Sequence, residues 1–202
     1  MLDLSFTDIF RYLMSLAPLF ITSFLLMSSV LNQNVKGLVY FGGILMVAIL
    51  TIGFKRIFRL KPPTEYTQEK CQTFNLPPLI TEYSAPDFNS MFLSFTMMYL
   101  TMPMAHKAAP VNAILIIVMS IFIIGNGATR IMTGCNNKLD VLIGNLIGSG
   151  LGIAYFYAFW ATNNKNMLFI DDVVSNKVSC NRPSKQTFKC AVYKNGQLIK
   201  NL

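Results

Sequence analysis

Five long apolar runs, each stopped by charged or turn-forming residues, leave this chain little alternative to the lipid bilayer. A helix that crosses a membrane needs roughly 20 mostly apolar residues. Residues 9–31, 37–54, 111–128 and 141–161 meet or approach that length. A further run, 91–104, is shorter and can extend back through Phe88 or on past Pro103. Of the 202 residues 53% are hydrophobic and 13% charged, where a soluble domain carries about 25% charged residues. The pattern predicts an all-α polytopic membrane bundle of about five transmembrane helices over residues 1–161. A soluble tail, 162–202, follows. The opening Met-Leu-Asp-Leu-Ser has neither a basic n-region nor a small-residue cleavage site, so the first run is expected to remain as a span.

The formal charge is +8. A basic chain invites a nucleic-acid reading, but here the bases flank the spans or are scattered along the tail. That placement suits anionic lipid surfaces, so membrane lipids and not nucleic acid are the expected partners. The single histidine and four scattered cysteines show no zinc-ligand spacing, and no metal or cofactor is implied.

The tail carries strand formers at Thr187, Cys190, Val192 and Tyr193, then the turn pair Asn195-Gly196, then Leu198-Ile199. This predicts a β-hairpin. A segment of this size rarely folds without a staple. Cys180 and Cys190 could form one, or remain reduced thiols in a tail that packs on a partner. Loop 55–90, with two Pro-Pro pairs, is long enough to serve a partner. Protein partners are therefore expected at loop 55–90 and at the tail.

Counting five spans puts the end of the second, the start of the third and the turn between the fourth and fifth on one face. His106 and the tail fall on the other. Three segments meet on the first face. They are Lys55 to Pro63, then Ser84-Ala85-Pro86-Asp87-Phe88-Asn89-Ser90, then Thr129-Arg130 with Asn136 and Asp140. Their order and their placement at span edges resemble the three motifs of the type-2 phosphatidic acid phosphatase superfamily, which includes vanadium haloperoxidases. Those motifs read Lys-x6-Arg-Pro, Pro-Ser-Gly-His and Ser-Arg-x5-His-x3-Asp.

The resemblance implies a phosphate cradle from Lys55 and Arg130, with Lys61 standing one place before the lost motif arginine. Pro86, Asn89, Asn136 and Asp140 are motif remnants. Pro62, Asp87, Phe88, Asn89 and Asn136 depart from the pattern. The two asparagines replace the histidines that would act as acid and nucleophile. An amide nitrogen has a delocalised lone pair, so Asn136 cannot attack phosphorus and Asn89 cannot protonate a leaving group. Asp87 would repel a phosphate. The expectation is an inactive phosphatase-like protein that serves as a scaffold or anchor. The alternative is an active or lipid-binding membrane phosphatase with unorthodox residues.

Other readings of the same residues stay open. Lys55, Arg56 and Arg59 suit interfacial snorkelling. Arg130 and Asp140 would also serve as an ion pair tying the fourth and fifth spans. Cys135 beside Asn136 is a poor nucleophile without an imidazole. Gly144, Gly148 and Gly152 recur every four residues and predict a helix-packing face. Near the spans Arg11, Lys55, Arg56, Arg59, Lys61, Arg130 and Lys138 outnumber Lys36, Lys107 and Lys165, so the motif face is expected in the cytosol. The tail around Phe188-Lys189-Cys190 and Val192-Tyr193-Lys194 is similar to tails of membrane proteins in large DNA viruses. That likeness implies a virion inner membrane beneath a capsid.

Overall fold

The computed structural model describes residues 6–64, 71, 83–162, 167–170, 191–194 and 197–201. Among them are five helices: α1 (Phe6–Leu31), α2 (Lys36–Phe58), α3 (Phe88–Ala105), α4 (Ala113–Met132) and α5 (Lys138–Ala161). Four of these, α1, α2, α4 and α5, are long and apolar enough to cross a membrane. The exception is α3, the short run. It contacts all four of the others and buries most of its residues, including Met91, Phe92, Phe95 and Tyr99. Its serine and threonine hydroxyls are satisfied inside the bundle, whereas the buried Tyr99 hydroxyl has no partner among the described residues. Ser94 Oγ donates to Asn145 Oδ1 at 2.7 Å, and Thr96 Oγ1 stands 2.9 Å from Tyr40 Oη. A helix that faces protein rather than lipid can carry such groups where neighbouring helices or its own carbonyls supply partners.

The tightest seam joins α3 to α5. A Cβ built on Gly144 would lie 2.8 Å from the Asp87 carbonyl oxygen, and one on Gly152 would lie 2.5 Å from that of Phe95. One on Gly148 would collide with the Met91 backbone. The three glycines therefore let two helix backbones touch, as small residues do in membrane bundles. Residue numbers rise together along the seam, so α3 and α5 run parallel. Their N-terminal ends lie at one end of the bundle.

Helix ends differ from the sequence expectation by about a turn. The helix α4 continues past Ala128 to Met132, so Thr129 and Arg130 sit on its last turns and not in the following loop. At its start Asn112 caps the helix by accepting the Leu115 N–H at 3.1 Å. At the far end of the bundle His106 stacks on Phe156 and Trp160, with its Nε2 2.9 Å from Tyr157 Oη. Beyond α5, Leu168, Phe169 and Ile170 turn back into the core, where Phe169 meets Tyr40 edge-on. The chain thus plugs the end opposite the motif segments before entering the tail. In the tail β1 (Ala191–Lys194) pairs antiparallel with β2 (Gln197–Asn201). Thr187 and the intervening Asn195-Gly196 lie outside the described residues, as do Cys180 and Cys190.

Candidate functional site

The ends of α2 and α4 and the starts of α3 and α5 bring the motif residues into one cluster. Asp87 organises it. As the N-cap of α3 it uses Oδ2 to accept the Ser90 N–H at 2.9 Å and the Ser90 hydroxyl at 2.7 Å. Its Oδ1 accepts Arg130 Nε at 3.1 Å and pairs with Nη2 at 2.9 Å. The Asp87 carboxylate is 1% exposed and Arg130 20%. The Asp87 backbone N–H donates to the Asp140 carbonyl at 3.2 Å, which locks the start of α3 to the start of α5.

The Arg130–Asp140 ion pair, one of the readings left open by the sequence, does not form; Arg130 pairs with Asp87 instead. Asp140 lies in the first turn of α5, and its carboxylate turns back to accept the Asn137 N–H at 2.9 Å. This is half of a capping box. The carboxylate Asp87, read from sequence as a repellent, takes its place beside Arg130. Lys55 completes the cluster from the last turn of α2, where its ammonium feels the charges of Asp87, Arg130 and Asp140. Among the described residues the cluster brings together two basic side chains and two carboxyl groups.

The remaining motif positions surround this core. Asn136 Nδ2 donates to the Ser84 carbonyl at 3.3 Å, while its Oδ1 is buried without a partner among the described residues. Asp140 Oδ1 is likewise unpartnered, and Asp140 is 0% exposed. Asn89 Nδ2 reaches Asn126 Oδ1 at 3.5 Å, the outer limit of a hydrogen bond. Pro86 follows Ala85 through a cis peptide and precedes the Asp87 cap. The side chain of Lys61 is exposed, and among the described residues its backbone carbonyl accepts Ser84 Oγ at 3.2 Å.

Three features were not read from the sequence. Cys71 and Cys135 form a disulfide that ties loop 55–90 to the α4–α5 turn. The Cys71 carbonyl accepts Arg130 Nη1 at 3.1 Å. An even cysteine count was the only signal available, and it cannot choose partners. Asn126, buried in the apolar run of α4, also joins the cluster; a polar side chain inside a span is a legible functional flag. The Asp87 cap was legible as Asp-Phe-Asn-Ser ahead of an apolar run, but its pairing with Arg130 was not.

Chemically the cluster lacks an imidazole, because the chain's only histidine is at the other end of the bundle. Among the described residues no group of three His, Cys, Asp or Glu side chains could hold a metal. Of its carboxylates, Asp87 is held by four donors and Asp140 is sealed from solvent.

The arrangement of three span-edge segments around a lysine and an arginine defines a phosphatase-like membrane bundle. The family model of the PAP2 superfamily matches residues 17–164. The chain belongs to that superfamily. No curated protein matches it significantly, and no solved structure does.

Proposed function

We propose that this protein is a catalytically silent, lipid-phosphatase-like integral membrane protein that acts as a structural scaffold or anchor. One observation carries the reading. The guanidinium of Arg130, matched to the family's phosphate-facing arginine, is held by the chain's own Asp87 carboxylate, which stands where a substrate oxyanion would. Asn136 and Asn89 supply neither nucleophile nor acid. With the chemistry absent, loop 55–90 and the tail 162–202 are the segments through which protein partners engage. The likeness of the tail to those of large DNA viruses makes a virion inner membrane the setting of choice.

Two signals on membrane side oppose each other. The flanking bases favour a cytosolic motif face. The Cys71–Cys135 bridge on that face favours an oxidising compartment. Lys55 and Arg130 are both engaged in the internal cluster, which reduces the basic excess left to report on the cytosol. The bridge is therefore the stronger signal, and the motif face belongs on the oxidising side.

Phosphate release from phosphatidic acid, diacylglycerol pyrophosphate and a sugar phosphate tests the silent reading. Detergent-purified protein should match a mock preparation. Turnover above that background that disappears in Asn136→Ala would establish the opposite reading, an active phosphatase. Crosslinking in the native membrane tests the scaffold. Inter-protein crosslinks should concentrate in 55–90 and 162–202.

A further inference from the structure

Not all of the positive charge at the motif end of the bundle is used internally. Lys55 and Arg130 serve the Asp87 cluster, whereas Arg59, Lys61 and Lys138 are exposed. Among the described residues none of these three meets a carboxylate; Arg59 Nε donates to the Arg56 carbonyl at 3.1 Å.

Ser84 holds the three in one place. Its N–H donates to the Leu60 carbonyl at 2.9 Å, and its Oγ to that of Lys61 at 3.2 Å. Its own carbonyl accepts Asn136 Nδ2 at 3.3 Å, just before Lys138 in the chain. The segment after α2 and the start of α5 therefore share one anchor. The Cys71–Cys135 bridge ties the same turn to loop 55–90. Pro62 and Pro63 stiffen the chain directly after Lys61. The bases stand on fixed backbone, which lowers the ordering cost of binding.

The placement of this patch favours a protein over the bilayer. The α2 span ends at Phe58, so Arg59, Leu60 and Lys61 follow the span instead of belonging to it. Arg56, in the last turn of the span, is the base placed to snorkel to headgroups. Leu60 is 38% exposed between two bases. An apolar residue rimmed by charge has the make-up of a protein–protein contact. Lys138 opens α5, where the positive end of the helix disfavours a cation and an outside anion would relieve it.

We propose that Arg59-Leu60-Lys61 and Lys138 form a docking surface for an acidic segment of a partner protein. Carboxylates of that segment meet the three bases, and an apolar side chain covers Leu60. The inference rests on the scaffold reading and gives the chemistry of the partner that loop 55–90 engages.

The test uses full-length protein in phosphatidylcholine nanodiscs. Fluorescein-labelled oligoglutamate is the probe, and oligoglutamine is the neutral arm. Anisotropy should report binding of oligoglutamate alone, weakened by salt as screening requires. Exposed ion pairs are each worth up to several-fold in affinity. The combined variant Arg59→Gln, Lys61→Gln, Lys138→Gln should therefore bind about tenfold more weakly. Lys107→Gln, which removes an exposed base at the far end, should bind as wild type does. No binding by wild type, or equal affinity in the combined variant, overturns the proposal. A photocrosslinker in place of Leu60, activated in the native membrane, should capture a protein segment rich in aspartate and glutamate. Capture of phospholipid alone assigns the bases to the bilayer and overturns it, as does capture of a neutral or basic segment. Protein crosslinks from the tail or elsewhere in 55–90, with none from position 60, leave the scaffold reading standing and overturn this one.

Discussion

Neutralising Asp87 should expose how much of this fold depends on its internal counter-ion. Its carboxylate accepts four donors, two from Arg130 and two from Ser90. Asp87→Asn keeps the volume and a good N-cap residue but removes the charge and turns one acceptor into a donor. Removing one partner of a buried ion pair costs about 3–5 kcal/mol. Arg130 is 20% exposed, so water recovers part of its solvation and the cost should fall at the lower end, about 3 kcal/mol. For a chain of this size that is a loss of roughly 6–12 °C in melting temperature. Asp87→Ala goes further, since it also empties the anion position. A small oxyanion that enters the gap should restore stability by mass action, about 2.7 kcal/mol at a hundred times its dissociation constant. The assay is scanning fluorimetry in detergent, with chloride and phosphate at matched ionic strength. Wild type reports the general effect of phosphate on burial, and only the excess response of Asp87→Ala counts. An Asp87→Asn protein that melts with wild type would refute the ion-pair argument. So would an Asp87→Ala protein whose phosphate response equals that of wild type.

Two further outcomes follow from the same packing. Gly148→Ala should lower the melting temperature, because its Cβ would strike the Met91 backbone at a cost of about 1–3 kcal/mol, outweighing a helix-propensity gain of about 1 kcal/mol. Gly150→Ala, whose Cβ would meet nothing within 4 Å, should raise it, and the reverse order in a paired melt would contradict the α3–α5 seam. Cys71→Ser should destabilise by up to about 4 kcal/mol for a bridge spanning 64 residues. In sealed membrane vesicles with the cytosolic face outward, a membrane-impermeant reductant should free Cys71 and Cys135 for maleimide labelling only after permeabilisation; labelling of the sealed vesicles would put the motif face in the cytosol.

The spans and the glycine-lined seam were legible because both are written locally. Hydropathy reports burial over one helix, and a four-residue glycine repeat reports a face of one helix. The separation of His106 from the motif segments followed from counting spans alone. Contacts between segments were a different matter. Arg130 had carboxylates available at Asp87 and Asp140, 43 residues before it and ten after, and sequence distance favoured the wrong one. The choice was made by helix geometry: the Asp140 carboxylate in the first turn of α5 is drawn back to its own N-terminus, whereas Asp87 caps α3 with Oδ2 and leaves Oδ1 for Arg130 on α4. The same reasoning applies to Cys71 and Cys135, whose approach depends on the path of the long loop. The depth of α3 was also hidden, since a short apolar run with several hydroxyls reads as a weak span and not as the centre of a bundle.

The departures from the family motifs make physical sense together rather than singly. An arginine kept at the mouth of a membrane bundle, with a lysine one helix away, needs a counter-charge. In a phosphatase the substrate brings it. Without a substrate, an unpaired guanidinium and ammonium at the edge of the bilayer would carry a desolvation penalty of several kcal/mol each. Asp87 supplies the missing charge from the start of α3, and Lys55 feels the charge of Asp140 as well as that of Asp87. On the proposed reading, the same carboxylate that pairs with Arg130 opposes a phosphate there. Restoring histidine at positions 89 and 136 would therefore return the reacting groups to a site whose anion position is already filled. On the silent reading proposed above, turnover in such a variant would require removing the Asp87 carboxylate as well, at the cost in stability worked out above.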